Sequence, residues 1–349
     1  MKKRHSKPLI NSSKRTRILV RVALGCFIVL ALGAAGVLKT KELLFFWSMR
    51  DERISETAAS DERVPFPLGV DPAAQRIVEN PAVDQFFGRD LASVGQTSRS
   101  AGWLSKLVHR LAQQGWYQNL ASPTGRVLVI EPGERREQVA DNFGDILRWD
   151  RAEREQFLSL IAGSTPPLRD GKYFPGHYLV NKDASPQAVA ERLLEQFKSE
   201  VADRYPTEVD RVVPLTDALT IASLLEREAY SFEDMREIAG VIWSRLFIGM
   251  NLQLDATLQY AKSDTQGGSW WPLVVPDDKY IDSPFNTYQN AGLPPSPIAS
   301  PSVEAIVAAL NPKATDCLFY FHDERGGFHC STTYEEHVSK LKDLYGQGR

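Results

Sequence analysis

Residues 216–230 read TDALTIASLLEREAY, and the way this stretch coils decides what the rest of the chain builds around it. Neighbours on a helix lie three and four positions apart, so Glu228 falls beside Leu224 and Leu225, with Ile221 one turn further back. Glu226 falls beside Ala222 and Ser223, on a more polar side. Thr216 is placed to cap the helix start. A carboxyl held among leucines is desolvated, which disfavours its charged form and raises its pKa. A group that stays protonated near neutral pH can work as a general acid. The same spacing also suits a carboxylate at the edge of the stripe that reaches solvent or pairs with an arginine, and helical spacing alone leaves both readings open.

Toward the C-terminus, Ser231 and Asp234 form a capping box for a helix carrying Met235, Ile238, Ile242 and Leu246, which stops at Gly249. LQLDATLQY follows at 252–260. SPFNTYQNAGLPPSPIASP, residues 283–301, has five prolines and reads as a rigid surface loop whose Asn286, Thr287 and Tyr288 suit a sugar. Ser300-Pro301 reads as the start of a further helix. CLFYFHDERGGFHCS is a hairpin turning over Asp323 to Gly327, and a Thr333/Glu336 capping box opens the last helix. Cys317 and Cys330 flank the hairpin. They can pair in an oxidising compartment or remain free thiols, and their spacing does not decide.

Toward the N-terminus, RVLVI (126–130), two short helices and YFPGHYLV (173–180) make a strand–helix–helix–strand unit. Ser185-Pro186 then starts a helix with Val189, Leu193, Leu194 and Phe197 on one side. Residues 76–125 hold short helical patterns, and 39–75 read as a tether. VALGCFIVLALGAAGVL, residues 22–38, carries no charge and is long enough for a short membrane span. Eight Lys/Arg and no acidic residue precede it through Arg21, which puts the N-terminus in the cytoplasm and the body outside. Cleavage at LGAAG, as in a signal peptide, is the alternative. Removing those eight positives from a net charge of −3 leaves the body near −11, which argues against nucleic acid as a partner. The six histidines show no metal-ligand spacing, so no metal or cofactor is expected.

ASLLERE (222–228), WSRLFIGMNLQLDATLQY, NTYQNAGLPPSPIASP (286–301) and LFYFHDERGGFH with His337 beyond it resemble the endolytic murein transglycosylase family, also called YceG-like or MltG. The resemblance runs from about Val127 to the end. It departs at DGKYFPGHY, where Gly176 and His177 replace the family's usual Asp-Thr. It implies an α+β protein: an N-terminal transmembrane helix, a LysM-like module with a connecting helix over 126–204, and a mainly helical catalytic domain with a β-hairpin over 205–349. It also implies a single-pass protein of the cytoplasmic membrane that faces the cell wall and acts on peptidoglycan strands, beside peptidoglycan synthases.

The family's catalytic glutamate is the second of an E-x-E pair, which falls on Glu228. Gln253, Asp255, Thr257, Asn286 and Tyr288 match family motif positions and are carried as substrate-binding candidates. With one carboxylate the expected reaction is lytic transglycosylation, since hydrolytic glycosidases generally need two. Two rivals stand: a muramidase using Glu228 and Asp255 with water, and a non-enzymatic membrane-anchored scaffold that binds glycan.

Overall fold

The computed structural model describes residues 64–83, 86, 125–266 and 269–346. The basic tail, the span expected at 22–38 and most of the helical patterns expected before residue 125 lie outside them. Among the described residues no helix is long and apolar enough to cross a membrane. Val70–Asp71 (β1) and Arg76–Ile77 (β2) pair antiparallel. Phe66 and Val70 are buried in the main core, and Gly69 N–H donates to Leu310 O at 2.9 Å. Residues 64–75, expected as part of a tether, are therefore packed chain. Their few apolar residues have no period, so only the cavity that receives them reveals the packing.

The strand–helix–helix–strand unit is present as Gly125–Ile130 (β3), Arg136–Leu147 (α1), Arg151–Gly163 (α2) and Gly176–Asn181 (β4), followed by Pro186–Glu200 (α3). β3 and β4 run antiparallel, from Gly125 opposite Asn181 to Ile130 opposite Gly176. Leu128, Phe143, Phe157, Ile161, Tyr178 and Leu193 close a core of the unit's own. Asp150 caps α2 through Glu153 N–H at 2.9 Å, and Glu153 returns the bond to Asp150 N–H at 2.8 Å. The second strand begins at Gly176 and not at Tyr173. Tyr173 instead lies fully buried against the Phe157 ring, 6.0 Å away.

The rest is helical: Thr207–Asp210 (α4), Leu215–Glu228 (α5), Phe232–Phe247 (α6), Asp255–Gln266 (α7), Val303–Leu310 (α8) and Tyr334–Tyr345 (α9), with the hairpin Phe319–His322 (β5) and Phe328–Ser331 (β6) before α9. α8, VEAIVAAL, is buried from Ala305 through Leu310, and α5 and α6 pack against it. A short helix apolar all round is stable only when enclosed in this way. The core is thus helix on helix, and the fold as a whole is α+β.

Three local expectations are corrected. Thr216 does not cap α5. The helix begins one residue earlier, and the Asp210 carboxylate accepts from Leu215 N–H at 2.9 Å in its place. α8 starts at Val303 under a Ser302 cap and not at Ser300-Pro301. The Ser300 backbone is already engaged, donating to Glu134 O and accepting from Gly133 N–H, each at 2.8 Å. The 283–301 loop is not a surface connector either, because Asn286, Thr287, Ile298, Ala299 and Ser300 are all buried in the body.

The small unit meets the body along a polar seam. Asp170 is fully buried, accepting from Arg136 N–H at 2.9 Å and from the Tyr260 hydroxyl of α7 at 2.8 Å. Burial, then the charge of Glu137, pushes its pKa up to about 7. Arg135 lies over the Tyr260 ring, 4.0 Å from its centre. Gly171 has φ +89°, and a Cβ there would meet Pro297 at 2.7 Å, so the seam needs glycine twice over.

Candidate active site

α5 ends on Glu228 because Ala229 takes an extended conformation, φ −103° and ψ 154°. The ERE triplet therefore splays onto three surroundings. Glu226 turns to α8 and accepts from Ser302 N–H at 2.7 Å. Arg227 lies over the Trp271 ring at 4.0 Å. Glu228 enters a cleft of about 890 Å³. Glu226 is half-buried and tied to the core, so the side expected to be more polar is a packing side.

Glu228 is half-buried, and both its oxygens are held. The Tyr320 hydroxyl, on β5, donates to Oε2 at 2.8 Å, and Ala256 N–H, in the first turn of α7, approaches Oε1 at 3.4 Å. Desolvation dominates and raises the pKa, while the Tyr320 and Ala256 hydrogen bonds oppose it. The carboxyl also sits at the C-terminal end of α5, where the helix dipole disfavours negative charge. A second carboxylate shares the cleft: Asp255, exposed, accepts from the Tyr288 hydroxyl at 2.7 Å, and its charge also pushes Glu228 upward.

Of the candidates read from sequence, Gln253, Asp255 and Tyr288 line the cleft with Glu228. Gln253 is exposed with φ +51°, a left-handed conformation uncommon for a residue with a side chain. Thr257 and Asn286 do not line it. Both are fully buried behind the wall. Thr257 Oγ1 donates to Leu254 O at 2.6 Å and lies 2.9 Å from Thr287 Oγ1. Asn286 Nδ2 donates to Ile281 O at 2.8 Å, and its Oδ1 accepts from Tyr288 N–H at 2.9 Å. These two hold the wall that carries Gln253, Asp255 and Tyr288.

The hairpin supplies what sequence reading missed. Phe319, Tyr320, Phe321 and His322 all reach the cleft, and Cys317 and Cys330 are bridged across the hairpin's open end, S–S 2.04 Å. His322 Nε2 lies 2.9 Å from Asp234 Oδ2, and its ring meets Tyr230 edge-on at 4.9 Å. Arg245, on α6, is only 6% exposed and ties the hairpin to the Leu252 turn: Nε donates to Leu318 O at 2.6 Å and Nη1 to Leu252 O. The strand alternation in FYFH was a usable signal, since it sets Tyr320 and His322 on one face. Nothing in the α6 pattern separates Arg245 from a surface arginine. Among the described residues no three His, Cys, Asp or Glu side chains gather as a metal site.

Fold and site define a two-part α+β protein with one desolvated carboxyl set in an open, aromatic-walled cleft. The chain belongs to the YceG-like family, which it matches over residues 96–343. It is 36% identical over 178 residues to an endolytic murein transglycosylase of Bacillus subtilis strain 168, covering 50% of this chain and 48% of that protein. It is 28% identical over 252 residues to an endolytic murein transglycosylase of Streptococcus pneumoniae strain D39, covering 64% of this chain and 46% of that one. The chain thus spans about half the length of these relatives. A crystal structure of a YceG-like protein from Listeria monocytogenes superposes with a TM-score of 0.54 at 27% identity, covering 62% of this chain and 76% of that one.

Proposed function

We propose that this chain cuts peptidoglycan glycan strands internally by lytic transglycosylation, with Glu228 as the single acid and base. The observation that carries this reading is the desolvated Glu228 carboxyl, pinned by Tyr320 in a cleft of about 890 Å³. The relatives named endolytic murein transglycosylases supply the substrate class. Neutral Glu228 gives its proton to the glycosidic oxygen as the bond from C1 of N-acetylmuramic acid breaks. The carboxylate left behind takes the proton of that sugar's C6 hydroxyl while O6 bonds to C1. The strand gains a 1,6-anhydro end, and no water is consumed. The nucleophile belongs to the substrate, so positioning supplies much of the rate. Tyr320 and Ala256 N–H stabilise the transient carboxylate, and burial returns it to the acid form.

The β3–α1–α2–β4 unit serves in this reading as a LysM-like glycan-binding module, and the segment at 22–38 as a single-pass anchor holding the body on the wall side of the cytoplasmic membrane. Work beside peptidoglycan synthases, ending nascent strands, fits that placement. Asp255 favours one alternative, a muramidase in which it activates water, because it shares the cleft with Glu228.

The test is to incubate the full chain in detergent, and its Glu228→Gln variant, with nascent uncrosslinked strands and weigh the products. Anhydro ends from the wild type and none from the variant support the reading. Reducing ends would replace it with the muramidase. Tight strand binding with no cleavage would replace it with a scaffold.

A further inference from the structure

Among the described residues Arg245 is a buried cation without a counter-ion. The residue is only 6% exposed, and among the described residues no ion pair joins it to a carboxylate. Nε and Nη1 are spent on the carbonyls of Leu318, Asn251 and Leu252, and its Cζ lies over the Phe319 ring, 5.3 Å from the centre. Nη2 has no hydrogen-bond partner among the described residues, although Arg245 forms part of the cleft wall. Burying a charge is costly unless it is paired, so an arginine kept here with one terminal nitrogen unused is arranged for an anion that arrives from outside.

A second observation points the same way. His337, from α9, lines the same cleft, and its Nδ1 is buried with no hydrogen-bond partner. Burial first, and then the nearby charge of Arg245, hold its pKa down. Glu228 and Asp255 do not answer this charge. Glu228 is engaged by Tyr320 and Asp255 by Tyr288. The cleft wall therefore carries both the Glu228 acid and the Arg245 cation.

We propose that Arg245, with His337 beside it in the cleft wall, forms an anion subsite that takes a carboxylate carried by the bound glycan strand. This inference rests on the strand-cutting reading above and adds how the strand is placed. The free Nη2 can donate charge-assisted hydrogen bonds to a carboxylate, whose charge answers the guanidinium's. Two carboxylates of such a strand have this chemistry: the lactyl group of a muramyl residue whose peptide has been removed, and the free carboxylates of an intact peptide stem. Either would lock the register of the strand, so that one glycosidic oxygen comes to rest at Glu228. A strand of the same sugars without the charge would leave Arg245 desolvated and unpaired, which is how a polar site rejects a neutral analogue.

The experiment uses the full chain in detergent and strands in four forms: with stems, stripped to the lactyl carboxylate, and each of these with its carboxylates converted to methylamides. Neutralising the carboxylates is expected to raise KM by about 10- to 100-fold, the worth of a charge-assisted hydrogen bond. Arg245→Gln is expected to show the same loss on charged strands and to be indifferent to neutralisation. The unmodified form with the lower KM identifies which carboxylate is read. Equal KM for charged and neutral strands, with cleavage intact, overturns the subsite and leaves the strand-cutting reading standing. Arg245→Gln loses bonds to the hairpin and can fail to fold. The wild-type comparison of charged with neutral strands decides without it. Should the wild type cut no strand, the strand-cutting reading falls, and equilibrium binding of the four forms to the same chain decides the subsite: preference for charged strands supports it, and no preference removes it.

Discussion

The β3–α1–α2–β4 unit and the Glu228 cleft are built on opposite plans. The unit closes its core with residues from Leu128 to Leu193, in chain order, through one antiparallel strand pair and two capped helices. The cleft takes Glu228 from the end of α5, Arg245 from α6, Gln253 and Asp255 from the turn into α7, Tyr288 from the proline-rich loop, Tyr320 from the hairpin and His337 from α9. The first region fulfils local preferences. The second is held together by backbone carbonyls accepting from buried side chains, as Leu318 O and Leu252 O accept from Arg245. A region built locally loses stability when one of its groups is removed, and a region assembled from afar loses chemistry first.

The largest effect expected is on the cleft side. Glu228→Gln should lower the cleavage rate by about 10²- to 10⁴-fold, the usual worth of a general acid. Gln keeps an oxygen for the Tyr320 hydroxyl, so the melting temperature should stay near that of the wild type. A large drop in melting temperature would mean that the cleft is as structural as the small unit, and would break the contrast.

The seam between the two regions comes next. Asp170 has a folded pKa of about 7 against an ordinary 3.8, with burial as the main cause. A raised folded pKa means that the native state favours the proton. The stability this contributes is full below about pH 4 and is lost as the pH rises through 7. The change is on the order of 4 kcal/mol. Glu134, also raised to about 7 mainly by burial, works in the same direction. Denaturant titrations from pH 4 to 8 should show this decline in the wild type and a shallower one in Asp170→Asn, where the slope from Glu134 remains. Parallel profiles would remove the seam as the source.

Within the small unit, Lys172 is fully buried and donates to the carbonyls of Ile161, Ser164 and Pro166 at the end of α2. Lys172→Met fills the space but leaves those acceptors bare, and should cost about 2 kcal/mol of unfolding free energy. No loss would show that the local plan does not depend on this cap.

The smallest effect sharpens the cleft. Tyr320→Phe removes a donor that favours charged Glu228, so the Glu228 pKa should rise further. The alkaline limb of the pH–rate profile should move upward and the rate fall by about tenfold, one lost hydrogen bond to a charged group. An unmoved limb would mean that Tyr320 positions substrate without touching the acid.

Periodicity and caps carried the small unit, the hairpin and the inward side of α5 directly in the chain. Ser185-Pro186, Ser231 and Thr333 cap the helices where the residues predict. Glu228 was legible because its neighbours at three and four positions are leucines, and Gln253, Asp255 and Tyr288 because their motifs resemble a family. The difference between Asn286 or Thr257, buried behind the wall, and Tyr288, in front of it, belongs to the tertiary structure alone. So do the burial of Arg245, the reach of Tyr320 to Glu228 across 92 positions and the packing of residues 64–75 into the main core. The physical reason is one of range. Helical and strand periods report which side of an element is apolar, but which distant segment covers that side, and which polar group it brings, is settled only when the core closes.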